Sequence, residues 1–252
     1  MRFLSRFLSR FLHSFLHPLV FYKASTVLAR FAAGIFLFCF TYGLYVGLFV
    51  VPLDYQQGDA FRIIYIHVPV AALSLTIYAA MGVFSFIYLV YRIRLAAILC
   101  LACAPVGALY TFLALVTGAI WGKPMWGCYW VWDARLTSEL FLLFIYIGYL
   151  SLYKSIPRKE NAFKACSVLT LIGLVDLPVI HFSVNWWHTL HQGATVFKFG
   201  KASISPAMQE PLIFMLIAFA MFAVLVVMLK ARVLLLSHER DSSWVRKIVC
   251  NI

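Results

Sequence analysis

WGKPMWGCYWVWDAR, residues 121–135, carries four of the chain's seven tryptophans: Trp121, Trp126, Trp130 and Trp132. Apolar runs flank it, 95–120 before and 136–153 after. Gly122-Lys123-Pro124 at its start and the charged pair Asp133 and Arg135 at its end interrupt that apolar character. The stretch therefore predicts a loop or short interfacial helix at a membrane surface, not a span. Reading it as a break sets the frame on both sides.

Outward from it, the chain is 64% hydrophobic and only 12% charged, about half the ~25% charge of a soluble domain. Lipid is most of its solvent, and a spanning backbone must satisfy its own hydrogen bonds. The apolar runs are long and do not alternate, which selects helices over a barrel. Six spans are expected, near 27–51, 67–91, 95–120, 136–153, 163–184 and 211–229. The fold class is an all-α integral membrane protein: six transmembrane helices with an outer-face tryptophan-rich segment. Three regions follow: a basic interfacial segment at 1–26, the six-helix domain at 27–236, and a polar basic tail at 237–252.

The net charge of +12 invites a nucleic-acid reading, which its placement argues against. Sixteen of the 21 Lys and Arg residues fall on the side holding both termini and the loops after the second and fourth spans. The other five are Arg62, Lys123, Arg135, Lys198 and Lys201. This asymmetry places both termini in the cytoplasm, or in the matrix or stroma of an organelle, and the tryptophan segment outside. The positives meet anionic lipid rather than nucleic acid. Residues 1–17, MRFLSRFLSRFLHSFLH, repeat every four residues and form a basic stripe beside a Phe-Leu stripe. That pattern suits an interfacial helix, with an organellar targeting peptide as the alternative. Cys100 and Cys103 have redox-motif spacing but lie within an apolar run, so they read as small core residues.

Three features meet on the outer face: the tryptophan segment, His67 at the start of the second span and His191 beyond the fifth. Tryptophans collect at membrane interfaces without any ligand, and an interfacial histidine is commonly structural. Four indoles within twelve residues exceed what a belt requires. They suit a large flat π-system, with Lys123 and Arg135 beside them to pair with anionic edge groups. Two neutral imidazoles can ligate iron from opposite faces. Together these residues describe a haem site. His181 and His188 are nearby rim residues. Asp133 reads as a cap on the fourth helix and as a residue that fixes Arg135 or an indole N–H. Asp176, within the fifth span, reads as a structural hydrogen-bonding group.

The run WGKPMWGCYWVWDARLTS resembles the tryptophan-rich WWD signature of the haem-handling proteins of cytochrome c assembly. The flanking RIIYIHVPVA and SVNWWHTLHQGATV resemble the outer-loop histidine segments of the CcmC family, and the six-span length favours CcmC over the larger WWD families. The resemblance covers roughly residues 50–200. It implies that haem b (iron protoporphyrin IX) is held transiently as cargo at Trp121, Lys123, Trp126, Trp130, Trp132, Asp133 and Arg135, with His67 and His191 as axial ligands. It also implies presentation to the haem chaperone CcmE, beside the ATPase pair CcmA and CcmB and the small CcmD, in a bacterial inner membrane. An organellar inner membrane is the alternative. His188 and the N-terminal repeat depart from the family pattern.

Two rival functions make different demands on the residues. A haem transporter needs a polar route through the spans, for which only Asp176, Glu139 and Glu210 are candidates. A purely structural subunit would use its tryptophans as belt and contact residues. There is no P-loop, because Gly118 to Gly122-Lys123 is one residue short and lacks the Ser/Thr. No acid–base pair points to an enzyme, so any help with haem attachment would come from positioning.

Overall fold

The computed structural model describes residues 17–187, 189–191 and 204–250. The N-terminal repeat before His17, and His188, Lys198 and Lys201, lie outside the described residues. Helix α1 is Pro18–Tyr45, continued by a π-turn at Val46–Val50. A 3-10 turn, Asp59–Ile63, leads into α2, Ile64–Tyr91; then follow α3 (Arg94–Trp126), α4 (Ala134–Ser155) and α5 (Lys159–Gly173). The chain ends with α6 (Asp176–Trp186), α7 (Pro206–His238) and a short α8 (Ser243–Cys250). The described residues form helices joined by turns and short loops, without strands. Six segments are long and apolar enough to cross a membrane, with α5 and α6 together making the fifth.

The spans match the sequence reading in number and order but run longer. Pro18, within the region 1–26, is the first residue of α1. Its fixed φ and missing N–H suit that position. α3 passes through Gly122-Lys123-Pro124 and stops only at Gly127, whose φ of +79° takes the left-handed cap. Trp121 and Trp126 are thus helical, and the irregular stretch is only 127–133. At 33 residues, α3 is ~50 Å long. It is longer than the ~30 Å hydrocarbon core of a bilayer.

α3 is the axis of the bundle. Its first half is small and buried on nearly every side: Ala96, Ala97, Cys100, Ala102, Ala104 and Gly107. Helices α2, α4 and α7 pack on it, α1 lies along α7, and α5 packs on α2 and α4. A Cβ on Gly107 would sit 2.2 Å from the Tyr146 ring, so glycine is what lets α4 approach. Tyr146 is fully buried and donates its hydroxyl to the Ser74 carbonyl at 2.9 Å. Cys100 and Cys103 are buried free thiols, as their apolar context predicts.

Of the three polar groups a transport route would use, two are engaged separately. Glu139 accepts from the Ser74 hydroxyl at 2.9 Å, and Glu210 from Tyr42 at 2.7 Å. Asp176 corrects the sequence reading. It stands in the first turn of α6, where a carboxylate is favoured by the helix dipole, but its buried Oδ2 has no hydrogen-bond partner among the described residues. Arg62 takes a role the sequence did not suggest. It donates to the Gly47 and Val51 carbonyls at 2.6 and 3.0 Å while pairing with Asp59, so it caps the end of α1.

Gly107→Ala is expected to destabilise the bundle by about 1–3 kcal/mol through overpacking against Tyr146. Thermal unfolding in detergent, compared with Gly148→Ala, checks this, because Gly148 has nothing within 4 Å of an added Cβ.

Candidate functional site

At the end of the bundle where α3 finishes, α2, α3, α4, α6 and α7 enclose a cavity of about 1190 Å³. That exceeds the ~300–1,000 Å³ of ordinary small-molecule pockets. His67, His191, Trp121, Trp126 and Arg135 all line it. The 3-10 turn and α2 carry His67, the C-terminal turns of α3 carry the two indoles, and the segment after α6 carries His191.

Each imidazole is oriented by a partner on its Nδ1. His67 Nδ1 lies 3.0 Å from the Thr117 hydroxyl oxygen. Thr117 gives its one O–H to the Leu113 carbonyl at 2.6 Å, so its oxygen meets His67 as an acceptor. Nδ1 then carries the ring proton and Nε2 keeps its lone pair. Gly118 permits this approach, since a Cβ there would stand 3.0 Å from the imidazole. His191 Nδ1 lies 3.4 Å from Asp133 Oδ2, again leaving Nε2 free. A metal-binding histidine is commonly held in this way, by an acceptor on its other nitrogen.

An indole edge abuts each ring. Trp121 packs against His67 with centroids 5.7 Å apart, and Trp126 against His191 at 4.8 Å. The Trp121 N–H donates to Gln57 Oε1 at 3.0 Å, tying the loop after α1 to the cavity wall.

Asp133 caps α4 as the sequence predicts, with Oδ1 accepting from the Leu136 N–H at 2.8 Å. Its other oxygen serves His191, not Arg135 or an indole. The neighbouring carboxylates Asp133 and Glu139 are thus engaged elsewhere, and neither forms an ion pair with Arg135 among the described residues. A cation in a cavity wall without a carboxylate partner suits an anionic ligand group.

Gly122 and Met125 also line the cavity, whereas Lys123, Trp130 and Trp132 do not. Trp130 and Trp132 pack edge to face on each other at 5.3 Å. Trp130 Nε1 is buried without a partner among the described residues, and Trp132 is exposed. Lys123 donates to the Gly127 carbonyl at 2.9 Å and sits over the Tyr129 ring. Trp121 and Trp126 thus stand at the cavity, each on its own imidazole, while Trp130 and Trp132 pair away from it, so the four indoles do not make one continuous platform. Gly127 separates them, because the left-handed turn redirects the chain after Trp126.

Sequence reasoning passed over Thr117, Gln57 and Asn185, and ranked His181 low. His181 and Asn185, one helical turn apart on α6, both line the cavity. A threonine–glycine pair inside an apolar run was the available signal for Thr117 and Gly118.

Fold and site define a six-span membrane protein with a paired-histidine cavity at one end of its bundle. The chain belongs to the CcmC family, described as haem exporter protein C, whose model matches residues 11–246. The haem exporter protein C of Escherichia coli K12 is 47% identical over 209 residues, 83% of this chain and 84% of that protein. Its counterpart in Haemophilus influenzae is 46% identical over 206 residues, 82% of this chain and 84% of the relative. A putative cytochrome c biosynthesis ccmC-like mitochondrial protein of Marchantia polymorpha is 41% identical over 220 residues, covering 87% and 93%.

Burial, followed by the charge of Arg135, lowers the His191 pKa below its ordinary 6.5, and Asp133 opposes the shift. A depressed folded-state value means the unfolded chain takes the proton first. The contribution of His191 to stability is therefore full above 6.5 and declines as pH falls through and below it. Arg135→Gln is expected to raise the His191 midpoint toward 6.5, as measured by histidine NMR titration of ligand-free protein in detergent.

Proposed function

We propose that this chain holds iron protoporphyrin IX in the cavity, with His67 and His191 as its two axial ligands through Nε2. Membership of the haem exporter protein C family supports a role in haem export and c-type cytochrome biogenesis. The observation that carries the finer reading is the pairing of two imidazoles on one large cavity, each with Nδ1 engaged and Nε2 free. Two such nitrogens present iron with a low-spin, six-coordinate environment. Arg135 pairs with a propionate, and Trp121 and Trp126 contribute apolar contact and hold the imidazoles edge-on. Trp130, Trp132 and Lys123 act at the rim, on the side from which a partner approaches.

The cavity lies at the end of the bundle opposite the concentration of Lys and Arg, which supports an outward-facing site in a bacterial inner membrane. From there the chain presents haem to the chaperone CcmE, alongside CcmA, CcmB and CcmD. Its contribution to the transfer is positioning: two fixed imidazoles hold the macrocycle while its edge faces the acceptor. The residues before Pro18, the bundle from Pro18 to His238 and the residues after it then serve as interfacial anchor, haem-handling bundle and cytoplasmic tail.

Purified protein is expected to show a bis-histidine haem spectrum, oxidised and reduced, that is lost in both His67→Ala and His191→Ala. Unchanged spectra in both variants would remove the axial assignment. Thr117→Val keeps the shape but removes the acceptor for His67 Nδ1. It should weaken haemin binding by about 10–100-fold in a spectrophotometric titration.

A further inference from the structure

The cavity continues below its rim. On α2 its wall runs from His67 through Ala72 and Leu75 to Thr76, and on α7 from Ser205 to Ile217 and Ala220. At 1.5 Å per residue these walls extend ~14 Å past His67 and ~22 Å past Ser205. That is a large part of the ~30 Å hydrocarbon core. The lower lining is apolar and reaches the outside of the bundle: Ile217 is 39% exposed, and Thr76 is exposed with its hydroxyl donated to its own helix at Ala72.

The cause of this opening lies on the facing helix. Pro178 has no N–H for the Leu174 carbonyl, and its ring crowds that same oxygen. The turn tightens instead: Leu174, Val175 and Leu177 each donate to the residue three before, at 3.3 Å. The fifth span breaks there. Before the break α5 packs on α2 and α4; after it α6 packs principally on α4. The span thus leaves α2 at mid-height, and His181 and Val184 of α6 face the cavity across the gap.

We propose that this gap, bounded by α6 on one side and by α2 and α7 on the other, is a lateral window through which haem exchanges with the lipid of the bilayer. The inference rests on the haem reading above. A porphyrin suits such a route because its ring is flat and apolar while its two carboxylates sit at one edge. It can lie in the bilayer with those carboxylates at the interface and slide sideways between apolar walls. No charge crosses the hydrocarbon, which would be costly. Arg135 and the two imidazoles stand at the interfacial end of the path.

The test uses the full chain in proteoliposomes, with haemin partitioned into the same bilayer and excess apomyoglobin in the water as a scavenger. Wild-type protein is expected to acquire its haem spectrum despite the scavenger. Thr76→Trp and Ala220→Trp, which narrow the window, should slow that acquisition roughly tenfold or more while leaving the final spectrum unchanged. Phe31→Trp, at an exposed position on α1, should load at the wild-type rate. Loss of wild-type loading to the scavenger would overturn the window, as would wild-type rates in both tryptophan variants. The scavenger arm needs no variant to fold. A wild-type protein that takes no haemin from either phase would overturn the haem reading instead.

Discussion

In hydrocarbon, helices gain little from hiding apolar surface on one another, so association depends on how closely their backbones and side chains fit. α3 meets that constraint with a run of alanines, cysteines and Gly107, and the surrounding helices close on it. The large aromatic residues that pack over this run come from the neighbours. Tyr146 of α4 lies over Gly107, and Tyr78 of α2 places its hydroxyl against Gly173 of α5. Each of these tyrosines finds a backbone carbonyl, so aromatic bulk is gained without leaving a hydroxyl unpaired.

The same helix then changes character. Beyond Ala114 it carries Thr117 and Gly118, which receive an imidazole, and beyond those two indoles that flank two imidazoles. One continuous element is thus a packing core at one end and a site wall at the other. A rigid helix holds Thr117, Trp121 and Trp126 at fixed rise and rotation, which loop residues alone would not achieve. The loops add what must arrive from elsewhere: Gln57 from before α2, Asp133 from before α4 and His191 from after α6.

The six spans were legible because each contains an apolar run longer than a globular core needs. Their ends were not, because backbone hydrogen bonding continues past the point where hydropathy falls. α1 begins at Pro18 and α7 runs on to His238 for that reason. His67, His191 and Arg135 stood out by residue type and by position relative to the spans. Their partners did not, since Thr117 lies 50 residues from His67 and Asp133 lies 58 from His191. The density of tryptophans was visible too, but not its division by Gly127, a matter of one positive φ. Pro178 is plain in the sequence of the fifth span, whereas its effect depends on which helix that span leaves.

Asp133 shows how narrowly a residue can be constrained when two neighbours address it. As a helix cap, Asn is nearly as good as Asp, and its single oxygen would still accept the Leu136 N–H. Toward His191 the two are opposites. The amide nitrogen of Asn would present a donor where the carboxylate presents an acceptor. The ring would answer by moving its own hydrogen to the far nitrogen, covering the lone pair that faces the cavity. A melting curve would scarcely register the exchange, while coordination chemistry would register it in full. At this position foldability and competence are separable, and only the second distinguishes oxygen from nitrogen.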